Sequence, residues 1–182
     1  MSKSLGNTVS PEEMIEKFGA DTVRLFILFA ANPTAGMDWS DSALEANYRQ
    51  MVQLYNMPET ILSWNGNARE IDTWMIARLK QRCQQWQDAM DSYDLRGAVD
   101  ASHFDLVKDL NWYRRRGGEN PEIGKEILRV WTHMISIATP HIAEDWWKMM
   151  GNDDLVAGRV FELPDQLTSA EKDALDAETL SL

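Results

Sequence analysis

The feature that most constrains the fold is a series of apolar stripes that repeat at helical spacing. On a predicted helix that begins at Asp72, apolar residues recur every three or four positions and so share one face. They are Met75, Leu79, Cys83, Trp86 and Met90. Similar stripes predict long helices over 95–115 and from Pro121 onward. No segment shows the alternation of several paired strands. The sequence therefore predicts an all-α fold, with a stem of short helices followed by an antiparallel helix bundle.

Helix start and stop signals divide the first part of the chain into short segments. Ser10 predicts the start of a helix that Gly19 ends, and Asp21 is expected to cap a second helix. Ser40 is the expected cap of a third helix, which Pro58 must kink or split because proline lacks an amide hydrogen. The face of this third helix that is predicted to be buried contains Leu44, Tyr48, Met51, Val52 and Tyr55.

The chain is predicted to divide into three parts. Residues 1–39 are an opening loop and a connecting stem, residues 40–158 are the helix bundle, and residues 159–182 are a tail. In the tail, Thr168 to Glu171 predict the start of one more helix with little apolar surface, which we expect to begin a module absent from this chain. The bundle residues expected to be largely buried are Met75, Leu79, Trp86, Met90, Leu106, Leu110, Val130 and Met134.

Net charge and cysteine content narrow the classes of function. The formal net charge is −11, whereas nucleic-acid binders usually present a basic surface that neutralises phosphates. Any role in binding nucleic acid must therefore rest on a local basic patch. The single cysteine, Cys83, rules out an internal disulfide and suits a reducing cytoplasm. We find no apolar run that approaches a membrane span and no cysteine cluster for a zinc site, and the sequence predicts no signal peptide.

The chain opens with MSKSLGN, a short polar loop that resembles the KMSKS loop of class I aminoacyl-tRNA synthetases without its first lysine. The next segment, PEEMIEKFGADTVRLFILFAA, is similar to the one that joins their catalytic fold to their helical domain. DWSDSALEANYRQM resembles the junction of leucyl enzymes. DLNWYRRRGG and ISIATPHIAEDWW resemble the helical anticodon-binding domain of archaeal-type leucyl-tRNA synthetases. The resemblance is collinear from residue 1 to about residue 160.

The resemblance implies that the opening loop serves the activation of leucine by ATP, with magnesium, in the complete enzyme. Forming an aminoacyl adenylate displaces pyrophosphate, so negative charge on the departing phosphates must be stabilised. On the family pattern Lys3 is the catalytic lysine, and Ser2, Lys3 and Ser4 form the ATP-binding loop. We expect the chain to begin inside this motif and to lack the N-terminal catalytic domain. Alone, it is expected to hold no cofactor and to be inactive.

Two functions of different classes fit the sequence. The first is the tRNA-binding portion of a leucine–tRNA ligase, with leucine-specific tRNA as its partner. The residues nominated for that contact are Arg78, Lys80 and Arg82 on one helix and Arg114, Arg115 and Arg116 at the end of the next. The arginine triplet could equally stabilise the helix dipole, and Trp112 and Tyr113 could either stack on bases or pack in the bundle. The second function is a non-catalytic acidic helical module that docks to a protein.

Overall fold

The computed structural model of the protein describes residues 9–30 and 39–179, which form α-helices and connecting loops. No β-strand occurs in these two ranges, so the all-α prediction is confirmed. The loop residues Ser2, Lys3 and Ser4 lie outside the described residues. Their predicted role in ATP binding therefore stays a prediction.

The first four helices of the described residues precede the long α5 (Glu70–Asp91), and two of them begin at capping residues that the sequence predicts. Ser10 Oγ accepts a hydrogen bond from Glu13 N (3.4 Å), and Ser40 Oγ accepts one from Ala43 N (3.3 Å). Pro58 lies in the first turn of the fourth helix, where a missing amide hydrogen is tolerated. The four helices are α1 (Pro11–Phe18), α2 (Ala20–Ala30), α3 (Asp41–Tyr55) and α4 (Met57–Leu62).

The remaining helices form the bundle, in which the long α5 packs against α7, α8 and α10. A π-helical segment, Asp100–Asp105, joins α6 to α7, so the single helix predicted over 95–115 contains one wider turn. Gly151 has a φ of +88° and follows the last helical turn of α9, as predicted. The bundle helices are α5 (Glu70–Asp91), α6 (Leu95–Val99), α7 (Leu106–Arg115), α8 (Pro121–Ser136), α9 (Pro140–Met149) and α10 (Ser169–Thr179).

The bundle encloses one apolar core, and its composition confirms the predicted helix faces. Seven of the eight residues expected to be buried are at most 7% exposed, and Met90 is partly buried against them. Trp131 and Trp146 are completely buried and meet edge to face, with their ring centroids 5.1 Å apart. A second, smaller cluster lies in the stem and consists of Phe18, Val23, Phe26 and Leu44.

The predicted buried face of α3 is only partly right. Leu44 and Met51 are buried, but three other members of the predicted face are 38–45% exposed: Tyr48, Val52 and Tyr55. The buried face is rotated around the helix toward Asn47 and Leu54, which were not predicted to be buried. Asn47 tolerates burial because its side-chain amide donates to Ala43 O (3.2 Å) within the same helix. This bond cannot be read from apolar spacing alone.

The expected capping role of Asp21 is wrong. Because α2 begins at Ala20, Asp21 lies in its first turn, and its carboxylate points to the start of α9 instead. Asp21 Oδ2 accepts from Ile142 N (2.8 Å), and Oδ1 lies 2.8 Å from His141 Nδ1. The first turn of a helix leaves amide hydrogens without partners in the helix, and a neighbouring carboxylate supplies the acceptor. Asp21 therefore caps α9 rather than α2.

Arg24, one turn further along α2, binds the other side of the corner between α8 and α9. Its guanidinium donates to Ile137 O through Nη2 (2.9 Å) and to Ala138 O through Nε (3.3 Å), just after α8 ends. The stem helix thus places a carboxylate at the N-terminus of α9 and a cation at the C-terminus of α8. These are the charges that the two helix dipoles favour. Together they fix the stem to the bundle.

Candidate nucleic-acid interface

Two of the basic residues nominated on α5 are held between α5 and α7. Arg78 Nη2 lies 2.9 Å from Asp109 Oδ1, and Arg82 Nε lies 2.7 Å from Asp109 Oδ2. Arg82 also pairs with Asp105 at 3.0 Å. The side chains of Arg78 and Arg82 are 26% and 13% exposed, and that of Asp109 is 8% exposed. These ion pairs connect two bundle helices and so contribute to helix packing.

Lys80, the third nominated residue of α5, contacts the tail helix α10. Its Nζ lies 2.8 Å from Glu171 Oε1, and the same carboxylate accepts from Thr168 N through Oε2 (2.8 Å). Burial alone would raise the pKa of Glu171, but the hydrogen bonds from Lys80 and Thr168 lower it below its usual value. Ala174 and Leu175 of α10 pack against the core next to this pair. The tail helix is therefore packed on α5.

The arginine triplet lies at the C-terminal end of α7 and is exposed. Arg114 and Arg115 occupy the last turn of α7, and Arg116 follows it. Cations at the C-terminus of a helix stabilise its dipole, as the sequence suggested. Arg116 makes a further contact, because its guanidinium carbon lies 3.4 Å from the centroid of the Trp112 ring. The triplet is thus partly ordered by aromatic packing.

Arg69 joins this triplet in space, although sequence reasoning did not nominate it. It lies before the first residue of α5, is exposed, and donates from Nη1 to Gly117 O (3.2 Å). Arg69 stands far from the triplet in sequence and has no basic neighbour, so no local pattern marks it. We call the four residues Arg69, Arg114, Arg115 and Arg116 the basic cluster.

Glycines shape the loop that carries the basic cluster. Gly117 has a φ of +76°, which favours glycine. A Cβ on Gly118 would overlap the ring of Tyr113, so the loop can pack onto that ring only without a side chain. The amide of Gly66 donates to Glu119 O (2.8 Å) and connects the loop before α5 to the loop after α7. The backbone beneath the basic cluster is therefore closely packed.

A buried polar network supports the same loop from below. Asp72 accepts hydrogen bonds from Tyr113 Oη (2.5 Å), Asn120 Nδ2 (2.6 Å) and Arg69 N (3.0 Å). Burial, together with the bond to Asp72, raises the pKa of Tyr113 well above its usual value, so the phenol stays protonated and donates. Tyr113 is fully buried and serves the core rather than offering a stacking face.

Trp112 is part of an aromatic column that brings the two nominated basic groups together. Its ring centroid lies 4.0 Å from that of Trp74 on α5, with 36° between the ring planes. The guanidinium carbon of Arg78 lies 5.8 Å from the centroid of Trp74. Arg116 and Arg78 therefore contact the two tryptophans of one stack. The sequence placed these two arginines in separate groups.

The described residues contain neither a metal site nor a membrane span. Within residues 9–30 and 39–179, no group of three histidine, cysteine, aspartate or glutamate side chains is placed to hold a metal ion. None of the helices in those ranges is long and apolar enough to cross a membrane. Cys83 is buried in the core, and burial raises the pKa of its thiol to about 11.

Comparison with protein families assigns both ends of the chain. Residues 72–180 match the family described as the anticodon-binding domain of tRNA ligase. Residues 1–40 match the family described as class I tRNA synthetases of the I, L, M and V group. The first match runs from the first turn of α5 through the tail helix α10. It therefore includes the whole basic cluster except Arg69.

Curated relatives are similar to the chain over most of its length. The leucine–tRNA ligase of Methanococcoides burtonii is 34% identical over 160 residues, which are 85% of this chain and 16% of that protein. The leucine–tRNA ligase of Archaeoglobus fulgidus is 35% identical over 150 residues, which are 82% of this chain and 16% of that protein. The chain thus spans about a sixth of the length of these relatives.

A solved structure agrees with the fold. The agnB2 LeuRS of Agrobacterium radiobacter K84, in a ternary complex with tRNA and LeuAMS, superposes with a TM-score of 0.70 at 25% identity. The match covers 86% of this chain and 21% of that one. These comparisons confirm the resemblance to leucyl-tRNA synthetases that the sequence motifs indicated. The chain belongs to the family of anticodon-binding domains of tRNA ligases.

Proposed function

We propose that this chain is the tRNA-binding portion of a leucine–tRNA ligase, the enzyme that attaches leucine to its tRNA using ATP. The basic cluster carries the proposal, because it gathers four exposed arginines at the start of α5 and the end of α7. The net charge of the whole chain is −11. Exposed arginines bind phosphate oxygens well, since each guanidinium presents several donors in one plane. We therefore place the tRNA backbone at the loops before α5 and after α7.

The frame beneath the basic cluster supports this assignment. The Asp72 network and the Gly118–Tyr113 contact hold the loop that follows α7, and Arg69 is hydrogen-bonded to it. A binding site on a preformed backbone loses less entropy when its ligand binds. The other nominated residues, Arg78, Lys80 and Arg82, are each engaged by a carboxylate of the same chain. We propose that their main contribution is to helix packing.

The chain spans 16% of the length of its curated relatives, and we propose that adenylate formation requires the remainder. In the complete enzyme Lys3, with Ser2 and Ser4, would stabilise the phosphates of ATP and its magnesium ion. The purified chain should therefore show no leucine-dependent ATP–pyrophosphate exchange above background. Measurable exchange would contradict this proposal.

Titration of leucine tRNA into the chain at two salt concentrations tests the proposed interface. Changing Arg114, Arg115 and Arg116 together to glutamine should weaken binding. It should also flatten the dependence of log affinity on log salt by about 0.9 for each duplex phosphate that the variant no longer neutralises. The matched control changes Lys17, Lys148 and Lys172 to glutamine, which alters the charge equally on three other helices, α1, α9 and α10. The control should bind nearly as the unchanged chain does.

The acidic charge keeps one other function open, a helical module that docks to a protein and does not bind RNA. Absence of tRNA binding even at low salt would favour that alternative. Equal loss of affinity in both triple variants would show that only net charge matters. Unchanged affinity in the arginine variant would move the interface away from the basic cluster.

A further inference from the structure

Arg69 is the member of the basic cluster that neither family match contains, because the matched ranges are 1–40 and 72–180. Its main-chain amide donates to Asp72 Oδ2 (3.0 Å), and its guanidinium donates from Nη1 to Gly117 O (3.2 Å). Arg69 is therefore held at the main chain and, independently, at the end of its side chain. An arginine carries five N–H donors, so one bond to Gly117 does not exhaust its capacity to bind phosphate oxygens.

Asp72 joins the segments that meet beneath Arg69. Besides Arg69 N, its carboxylate accepts from Tyr113 Oη on α7 and from Asn120 Nδ2 before α8. Asn120 in turn caps α8, because its Oδ1 accepts from Glu122 N (3.0 Å). One carboxylate thus connects the start of α5, the last turns of α7 and the start of α8. Asp72 is only 7% exposed, so it lies below the surface that an RNA strand could touch.

The spacing between Arg69 and the arginine triplet depends on these bonds. Arg69 precedes α5, whereas the triplet lies at the end of α7, so the intervening chain does not by itself fix the distance between them. Phosphate groups recur at a regular spacing along an RNA strand. Cations on two loops can bind one strand at full strength only if the loops are already held at a matching distance, because otherwise binding must order them.

We propose that Asp72 is a positioning residue for RNA binding, which acts through Arg69 and does not itself contact RNA. This inference rests on the proposed function and deepens it, because it explains how the loops before α5 and after α7 act as one phosphate-binding unit. Without the carboxylate all four arginines of the basic cluster remain, but Arg69 no longer keeps its distance from the other three.

The test begins with Asp72→Asn, which keeps the size of the side chain and replaces one acceptor oxygen by a donor group. Titration of leucine tRNA into the full chain, followed by fluorescence anisotropy at low salt, should show binding about fivefold weaker than for the unchanged chain. Circular dichroism at the same temperature establishes that the variant is folded. Tyr113→Phe is a milder variant, because it removes one bond to Asp72 and keeps the ring that packs on Gly118.

A double-mutant cycle with Arg69→Gln separates positioning from general destabilisation. Arg69→Gln should itself weaken tRNA binding, and adding Asp72→Asn should then weaken it no further, since the cation that Asp72 positions is already absent. The stability lost through Asp72→Asn should be the same with and without the Arg69 side chain, because Asp72 bonds the main-chain amide. A purely structural role of Asp72 would weaken tRNA binding equally in both backgrounds.

Asp109→Asn is the matched control, since Asp109 is also a buried carboxylate between α5 and α7. Its partners are Arg78 and Arg82, which lie outside the basic cluster. This variant should lose stability, but at a temperature where it is folded it should bind tRNA as the unchanged chain does.

Several outcomes would overturn the inference. They are unchanged tRNA affinity in Asp72→Asn or in Arg69→Gln, an equal loss of affinity on adding Asp72→Asn in both backgrounds, and a loss of the same size in Asp109→Asn. If Asp72→Asn does not fold, the same cycle with Tyr113→Phe decides by the same criteria. In all of these cases the unchanged chain still binds tRNA. Only a failure of the unchanged chain to bind tRNA would contradict the proposed function.

Discussion

A single carboxylate, that of Asp109, determines how two of the nominated arginines behave. It binds both Arg78 and Arg82, and the side chain of Asp109 is only 8% exposed. The partner residues lie 27 and 31 positions away along the chain. For this reason the sequence could identify the cations but not the carboxylate with which they form ion pairs. Charge type is a property of the residue, whereas pairing depends on which helices meet.

Changing Asp109 to asparagine should therefore affect stability before it affects RNA binding. The change leaves two partly buried guanidinium groups without their shared carboxylate. We expect the free energy of unfolding to fall by about 2–3 kcal/mol, allowing for the partial exposure of both arginines. Urea unfolding followed by circular dichroism measures this directly.

Asp105→Asn is the control, since Asp105 is more exposed and shares only Arg82 and Lys108. We expect less than about 1 kcal/mol there. Equal effects in the two variants would show that burial of the Asp109 ion pairs is not what stabilises the contact between α5 and α7.

Among the structural elements, the π-helical turn between α6 and α7 was not visible in the sequence. The apolar positions over 95–115 fit one regular helix, and the wider turn at Asp100–Asp105 changes the spacing only locally. Its carbonyl groups are satisfied from other elements. Trp131 Nε1 donates to Ser102 O (2.6 Å), and Gln50 Nε2 donates to His103 O (3.1 Å). Such distant donors leave no local signal in the sequence.

The same turn buries His103 completely, between the hydroxyl groups of Ser102 and Thr139. Burial lowers the pKa of His103 to about 3, so it stays neutral in the folded chain. In the unfolded chain it gains a proton below its ordinary pKa of about 6.5. Unfolding therefore takes up a proton as the pH falls from about 6 to 4. In this range the stability supplied by His103 should be lost at roughly 1.4 kcal/mol per pH unit.

Urea unfolding at several pH values, compared between the unchanged chain and His103→Gln, measures this contribution. The variant should be less stable at neutral pH, because glutamine does not reproduce the ring. Its free energy of unfolding should nevertheless fall less steeply between pH 6 and pH 4, by roughly 1.4 kcal/mol per pH unit, because unfolding of the variant takes up one proton fewer. Parallel slopes for the two proteins would show that His103 takes up a proton in the folded chain as readily as in the unfolded chain.

At the scale of the whole molecule, sequence reasoning recovered the fold class, the family and most of the core. Helix signals and collinear motifs carry that information because they are local. The basic cluster was recovered in part, since Arg114, Arg115 and Arg116 are adjacent in sequence. Arg69 was missed because it reaches the cluster only through the fold, by its bond to Gly117. The sequence does not show which loops come together in the fold when they belong to different helices.

The tail provides a test of how far the bundle extends. The sequence predicts a domain boundary after residue 158, with α10 as the start of a separate module. In the fold α10 packs on α5 through Lys80–Glu171 and two apolar side chains. Removing residues 168–182 should therefore lower the free energy of unfolding by about 2 kcal/mol, because apolar burial decreases and an ion pair is broken.

Glu171→Gln is the matched variant for this test, because it removes only the ion pair and should reproduce part of the loss. Thermal unfolding of both proteins measures the two contributions. If the shortened chain is as stable as the full one, the tail is an independent segment and the predicted boundary is right.

The contacts of α2 with the corner between α8 and α9 leave no pivot there. Rotating α9 relative to α2 would break the Asp21 contact on one side of the corner and the Arg24 contact on the other. The nearest upstream joint is Gly19, where φ is +82° and an added Cβ would meet nothing within 4 Å. If an anticodon-binding domain of this kind swings relative to the rest of its ligase, the swing must occur at Gly19 or before it. In that motion α2 travels with the bundle.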